Sequence, residues 1–283
     1  MFRTIKAFFQ AMLIFIAIAA LVAAYARYVE PHRLTSAELA VENNKASAGF
    51  GGITVAVFAD THFGKHYTLK NFEKAVSLIN SGNPDMILFC GDLIDDFSKY
   101  EGDVDEISKA LSQLSAPMGK FAVCGNHDHG GGARHAYSDI MENGGFAVLR
   151  NEFVLFEDAG IRLFGLDDFL LGSGSTGIVR EAADESCFNI VICHEPDIVD
   201  GLLDCSVDLM AAGHSHGGQV NLFGYRHTFQ PRYGRNYFKG AYTSDNAPHT
   251  VLYVNPGLGT TKMPFRLMAP PEVTFIAIVT GKA

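Results

Sequence analysis

The chain carries no excess of positive charge: 22 lysines and arginines stand against 31 aspartates and glutamates, a formal charge of -9 over 283 residues. A broad electrostatic footprint for nucleic acid is therefore unsupported, and no nucleic-acid partner is expected. There is also no Cys-x-x-Cys pair. The five cysteines, Cys90, Cys124, Cys187, Cys193 and Cys205, form an odd set lying mostly in apolar runs, so they read as small buried hydrophobes rather than as a disulfide framework. Internal repeats are absent. What is present is 48% hydrophobic residues, enough to build one large domain or two small ones, and eleven histidines. An acidic protein that handles anions needs local positive charge, and bound metal ions are one way to supply it.

Residues 7–26, AFFQAMLIFIAIAALVAAYA, hold one polar side chain, Gln10, and follow Arg3 and Lys6. That length can span a bilayer, which predicts a single-pass anchor in the cell inner membrane. The small-residue pattern Ala24-Tyr25-Ala26 leaves a cleaved signal peptide as the alternative. Basic residues ahead of the span favour a cytoplasmic N-terminus and a catalytic domain outside, although Arg27 and Arg33 on the far side weaken that bias. Residues 27–48 read as a short helix or linker, so the chain divides into an anchor and linker, 1–48, and a catalytic domain, 49–283.

From residue 53 apolar runs alternate with amphipathic ones. ITVAVFAD (53–60) has the β-branched content of a strand buried on both faces. LKNFEKAVSLINSG (69–82) places Leu69, Phe72, Val76 and Ile79 at helical spacing before a glycine. MILFCGD is a second strand, 105–114 a second helix and KFAVCGNHD a third strand, an order that indicates crossover units and a largely parallel sheet. The second half continues in shorter strands (FAVLRNEFVLFED, IRLFGLDD, FNIVICHEP, DLMAAGHSHGGQV, HTVLYVNPGLG, EVTFIAIV), so two sheets flanked by helices are expected.

Five apolar runs end in metal-ligand residue types: Asp60 and His62; Asp92; Asn126 and His127; His194; His214 and His216. Parallel strands align their carboxyl ends, where open α/β sheets bind ligands. Carboxylate and amide oxygens mixed with imidazoles suit Mn, Fe or Zn and argue against a closed cysteine zinc site. Seven ligands are too many for one ion. A bridging Asp92 would place Asp60, His62, Asp92 and His216 on one divalent ion and Asp92, Asn126, His194 and His214 on a second.

The ordered set DTH, GDLIDD, GNHD, a lone His and GHSHGGQ resembles the calcineurin-like metallophosphoesterases, with all five blocks in order between residues 60 and 216. The resemblance implies a four-layer αββα sandwich, an α/β fold of two mixed sheets between helices, and carries the family's ligands onto the seven residues above. It also implies two divalent ions, hydrolysis of a phosphodiester or pyrophosphate by metal-bound hydroxide, and His127 as proton donor or transition-state stabiliser. Asp128 is expected to fix the His127 tautomer. The spelling GHSHGGQ with an N-terminal apolar segment is similar to a membrane-associated bacterial branch that includes phosphodiesterases and hydrolases of UDP-2,3-diacylglucosamine. An anionic, lipid-linked substrate is therefore expected, and a catalytically silent metal-binding scaffold is the alternative.

Other features read more plainly. Asp95 and Asp96 are expected to cap a turn. GSGSTG (172–177) matches a dinucleotide fingerprint in letters, but no strand leads directly into it, so it reads as a loop. In YRHTFQPRYGRNYFKGAY (225–242), Arg226, Arg232, Arg235 and Lys239 form either a solvated loop or an anion contact. Arg232 and Arg235 are the candidates for substrate binding. His66, His129, His135, His227 and His249 read as surface or loop histidines.

Overall fold

The computed structural model describes residues 2–43, 45, 52–130, 132–222 and 230–280. Its strands build two six-stranded mixed sheets. The first orders β1 (Thr35–Asn43), β12 (Glu272–Thr280), β2 (Ile53–Phe58), β3 (Met86–Phe89), β4 (Lys120–Ala122) and β5 (Ala147–Val148). The second orders β10 (Gly240–Ser244), β11 (Ala247–Val254), β9 (Leu209–Ala212), β8 (Phe188–Ile192), β7 (Ile161–Gly165) and β6 (Glu152–Phe156). β2 through β5 run parallel, as do β7, β8, β9 and β11, whereas β12 runs antiparallel to β2.

Side-chain alternation in the central strands explains the layers. Along β2, Val55 and Val57 face the second sheet and pack with Leu88, Leu163, Ile190 and Leu209. Ala56 and Phe58 face outward and are covered by α2 (Leu69–Ser81), α3 (Val104–Ser112) and α4 (Ala136–Asn143), through Phe72, Ile79, Leu111 and Tyr137. The outer face of the second sheet buries Phe164, Val191 and Met210 under α5 (Gly177–Ala182) and the turn carrying Val199 and Leu202. The expected four layers are present, and the strands buried on both faces are the continuous apolar runs of the sequence.

Two readings need correction. Thr35–Asn43, expected within a helix or linker, is a strand whose nine residues pair in parallel register with β12. Its inward residues Ala37, Leu39 and Val41 pack into the inter-sheet core, while Glu38 and Glu42 face solvent at an exposed sheet edge. The boundary placed at residues 48 and 49 lies outside the described residues. Gly240–Ser244, read as the end of a loop, is an edge strand antiparallel to β11.

The first helix, α1 (Phe2–Tyr28), is exposed along its apolar length and is long enough to cross a membrane. Its last turn meets the domain: Ala26 is buried, and its carbonyl accepts from the Arg266 amide at 2.9 Å.

Candidate metal centre

The site lies where β2, β3, β4, β8 and β9 end. Beyond each carboxyl end the backbone turns sharply, and Asp60, His62, Asp92, His214 and His216 all adopt positive φ, between 44° and 69°. Such left-handed conformations are uncommon for non-glycine residues and concentrate where surrounding structure imposes them. Glycines allow the strand ends to approach. Gly91 has φ 90°, and a Cβ there would meet the Gly125 nitrogen at 2.5 Å, while a Cβ on Gly125 would meet Asp92 Oδ1 at 2.3 Å.

Two groups of donors face one another. In the first, His216 Nε2 lies 3.1 Å from His62 Nε2 and 3.4 Å from Asp60 Oδ1. In the second, His194 Nε2 lies 3.0 Å from His214 Nδ1 and 3.2 Å from Asp92 Oδ2. Asp92 Oδ2 is also 3.5 Å from His62 Nε2, so this oxygen stands between both groups. The imidazoles are oriented from behind. His194 Nδ1 donates to the Cys90 carbonyl at 2.7 Å and His214 Nε2 to the Arg232 carbonyl at 2.9 Å, which leaves each opposite nitrogen with its lone pair toward the centre.

The donor chemistry fits divalent cations. Asn126 Oδ1 is buried without a hydrogen-bond partner among the described residues, and buried acceptors are ordinarily satisfied. Burial opposes ionisation of Asp60, yet His216 and His62 lower its carboxyl to about 2. Asp92 is likewise held well below the ordinary carboxylate range against burial, chiefly by His194 and then His127. His62 is raised to about 9 against burial, by Asp60 and Asp95. Burial keeps His214 and His216 neutral, at about 4 and about 3. The cluster thus holds two carboxylates that attract cations and, in His214 and His216, neutral imidazoles able to give lone pairs, with no thiolate: burial drives the nearby Cys90 thiol upward. Asp60, His62 and His216 could hold one ion and Asp92, His194 and His214 another, with Asn126 lining the same pocket as Asp92 and His214.

His127 lines the pocket over this centre, a cavity of about 430 Å³, and its side chain is 25% exposed. Its backbone amide donates to Asp92 Oδ1 at 2.8 Å, and its Nδ1 makes a short contact with the Asp95 carbonyl. The expectation for Asp128 is corrected here. Its carboxylate accepts from the amides of Asp92, Leu93 and Gly125 at 2.7–2.9 Å, so it binds two strand ends together rather than orienting His127. Burial and the adjacent Asp92 push its carboxyl up to about 7.

Asp95, read as a turn cap, reaches into the site instead. Its Oδ1 lies 3.3 Å from His62 Nδ1 and accepts from Thr261 Oγ1 at 3.0 Å. Asp96 does serve its turn, accepting from Ser98 Oγ at 2.6 Å. Arg232 and Arg235 are exposed and absent from the pocket lining. The Arg232 guanidinium stacks on Tyr233 and bonds its hydroxyl, while the Arg235 amide donates to Asp197. Arg226 and His227 lie outside the described residues. The cation at the pocket is Lys262, with φ 59°, which sequence reasoning missed. Gln219, the last letter of GHSHGGQ, fastens the Lys262 loop: its Nε2 donates to the carbonyls of Thr261 and Met263, and its Oε1 accepts from the Thr261 amide. His129 is no surface residue; its Nε2 pairs with Asp167 at 2.7 Å.

A sequence model described as calcineurin-like phosphoesterase matches residues 53–218, a stretch containing every donor above. An uncharacterized metallophosphoesterase of Bacillus subtilis, YkuE, is 36% identical over 257 residues, 90% of this chain and 88% of its own length. A Danio rerio transmembrane protein with metallophosphoesterase domain is 26% identical over 88% of this chain and 58% of its own. The fold is similar to that of Haemophilus influenzae NAD nucleotidase, with a TM-score of 0.50 at 10% identity, covering 73% of this chain and 45% of that one.

Proposed function

This chain belongs to the calcineurin-like phosphoesterase family and is a metal-dependent phosphoester hydrolase, and from that premise we propose that it uses two divalent ions to cleave a phosphodiester or pyrophosphate bond in an amphiphilic substrate at a membrane. Asp60, His62, Asp92 and His216 would hold one ion; Asp92, Asn126, His194 and His214 would hold the other. The observation that carries this reading is the pair of facing donor groups with the orphaned Asn126 Oδ1 beside them. Bound divalent ions at such a site polarise phosphoryl oxygens and acidify water.

The chain's own residues supply the rest. The Asp95 carbonyl holds the His127 Nδ1 proton in place, so the imidazolium form of His127 would give its Nε2 proton to the leaving oxygen as the bond from phosphorus breaks, the ring ending as a neutral Nδ1–H imidazole. Lys262 offers positive charge to a non-bridging oxygen at the pocket mouth. The α1 span anchors the catalytic unit, which begins at β1 rather than after it. The anchor together with the GHSHGGQ spelling supports a lipid-linked or nucleotide-sugar substrate such as a UDP-linked acyl sugar.

The test is metal analysis of purified protein with hydrolysis of bis-p-nitrophenyl phosphate, with and without Mn²⁺. Hydrolysis is expected only with metal. His127→Ala should lower kcat by roughly 10²–10⁴-fold with metal content retained, the range general acid catalysis spans. Loss of metal in that variant would make His127 a ligand, and inert protein under every ion offered would overturn the reading.

A further inference from the structure

A second cavity, a groove of about 960 Å³, adjoins the metal centre. Thr261 and Lys262 line both it and the central pocket, and His62 and Asp95 form part of its wall. Its cations are Lys65, Lys70, Lys99 and Lys262. Lys99 is paired with Asp96 at 2.6 Å, but Lys65, Lys70 and Lys262 have no ion pair among the described residues and are exposed.

The lip of this groove sits at the end of α1. His66, on one side, is lowered by partial burial and by the nearby Arg27 guanidinium of the last helical turn. On the other side, Met263 precedes the Arg266 whose amide caps the Ala26 carbonyl. The Ala269 amide donates to Glu30 Oε1 at 2.7 Å, and Asn71 Nδ2 contacts His32 Nδ1 at 3.2 Å, so the stretches continuing from Lys70 and from Met263 are tied to the segment leaving the span. The same end of the molecule exposes Met263 (43%), Met268 (50%) and Leu222 (46%), and Asn221 beside Leu222 bonds the Leu267 carbonyl. The groove also holds Asp95, Asp96 and Glu101, of which Asp96 is taken up by Lys99 and Asp95 faces His62. Unpaired lysines beside exposed apolar side chains near the end of a span match the chemistry of an anionic membrane surface.

Resting on the phosphoesterase reading above, we propose that this groove is a lipid subsite: an anionic phospholipid-like substrate slides sideways from the bilayer, its head passing between Lys65, Lys70 and Lys262 to the metal centre while its chains stay beside Met263 and Met268. A lipid explains the juxtaposition better than a soluble phosphate, because a soluble ligand needs neither the exposed methionines nor a groove opening at the end of α1.

The experiment places the full chain, with Mn²⁺, in phosphatidylcholine nanodiscs containing a few per cent diazirine-labelled phosphatidic acid. Photolabelling is expected on peptides spanning 63–70 and 260–263 and should be competed by dioctanoyl phosphatidic acid. It should fall at least fivefold in Lys65→Glu/Lys70→Glu, with labelling of α1 unchanged. Label on α1 alone, groove label indifferent to the charge reversal, or competition by glycerol 3-phosphate as strong as by the dioctanoyl lipid would each overturn the proposal, the last by revealing a soluble-phosphate site. Hydrolysis of bis-p-nitrophenyl phosphate by the parent separates the two readings: activity without groove labelling removes only the lipid subsite, and inertness with every metal removes the phosphoesterase reading whatever the label does.

Discussion

An imidazole at the centre is aimed where its other nitrogen is held from behind, as at His194 and His214, whereas His216 Nδ1 has no such partner among the described residues. Asp95 does the holding twice, through its carboxylate to His62 and its carbonyl to His127. Asp95→Ala keeps the carbonyl but frees His62, so metal affinity should drop about 10–100-fold, as expected when the partner orienting a ligand is lost. Metal titration followed by kcat measurement at saturating metal checks this; recovery of kcat at saturation would show that His62 orientation was the defect. Asp128→Ala removes the acceptor of three buried amides. At about 1 kcal/mol for each hydrogen bond the cost is about 3 kcal/mol, read as a shift of the urea midpoint at constant slope. An unchanged midpoint would mean those amides find water instead.

Among the elements, the segment between β11 and β12 does more than connect them. It carries Thr261 and Lys262 to the pocket, receives Gln219, and meets the end of α1. Arg266 holds it in shape from inside: fully buried, it donates to the carbonyls of Pro256, Gly259 and Ala269. Burial lowers its guanidinium to about 10, and the charges of Asp60 and Glu30 oppose that shift. Arg266→Met should therefore cost about 3 kcal/mol or more, since three buried acceptors lose their donor and two carboxylates lose a nearby cation. It should also raise KM by releasing Lys262. A variant with parental stability would show that the segment is held by its backbone contacts alone.

At the scale of the molecule, the carboxylates at the ends of β2 and β3 are crowded in a buried pocket with imidazoles from the ends of β2, β8 and β9, and a bound cation relieves that arrangement. Ligand that binds only the folded state stabilises it by about 2.7 kcal/mol at one hundred times its dissociation constant. For a chain of this size that raises Tm by roughly 5–10 °C. Calorimetry before and after chelation, with Mn²⁺ restored, measures the effect, and a Tm insensitive to chelator and metal would exclude a metal centre coupled to the fold.

The sequence by itself determined the strands buried on both faces, because continuous β-branched runs such as ITVAVFAD have no other stable placement, and it marked the donors at their ends. It also determined the apolar run at the N-terminus, since twenty residues with a single polar side chain are legible by length alone. Only the tertiary structure decided what lies across from each residue. β1 is too polar and alanine-rich to announce itself, and its alternation acquires meaning only beside β12. Asp95 and Asp128 are equivalent in sequence, both short acids following a strand, yet one faces imidazoles and the other faces backbone amides. Local pattern fixes which residues are buried or turned. Partnership between residues far apart in the chain depends on how the strand ends converge, and no stretch of the sequence contains that information.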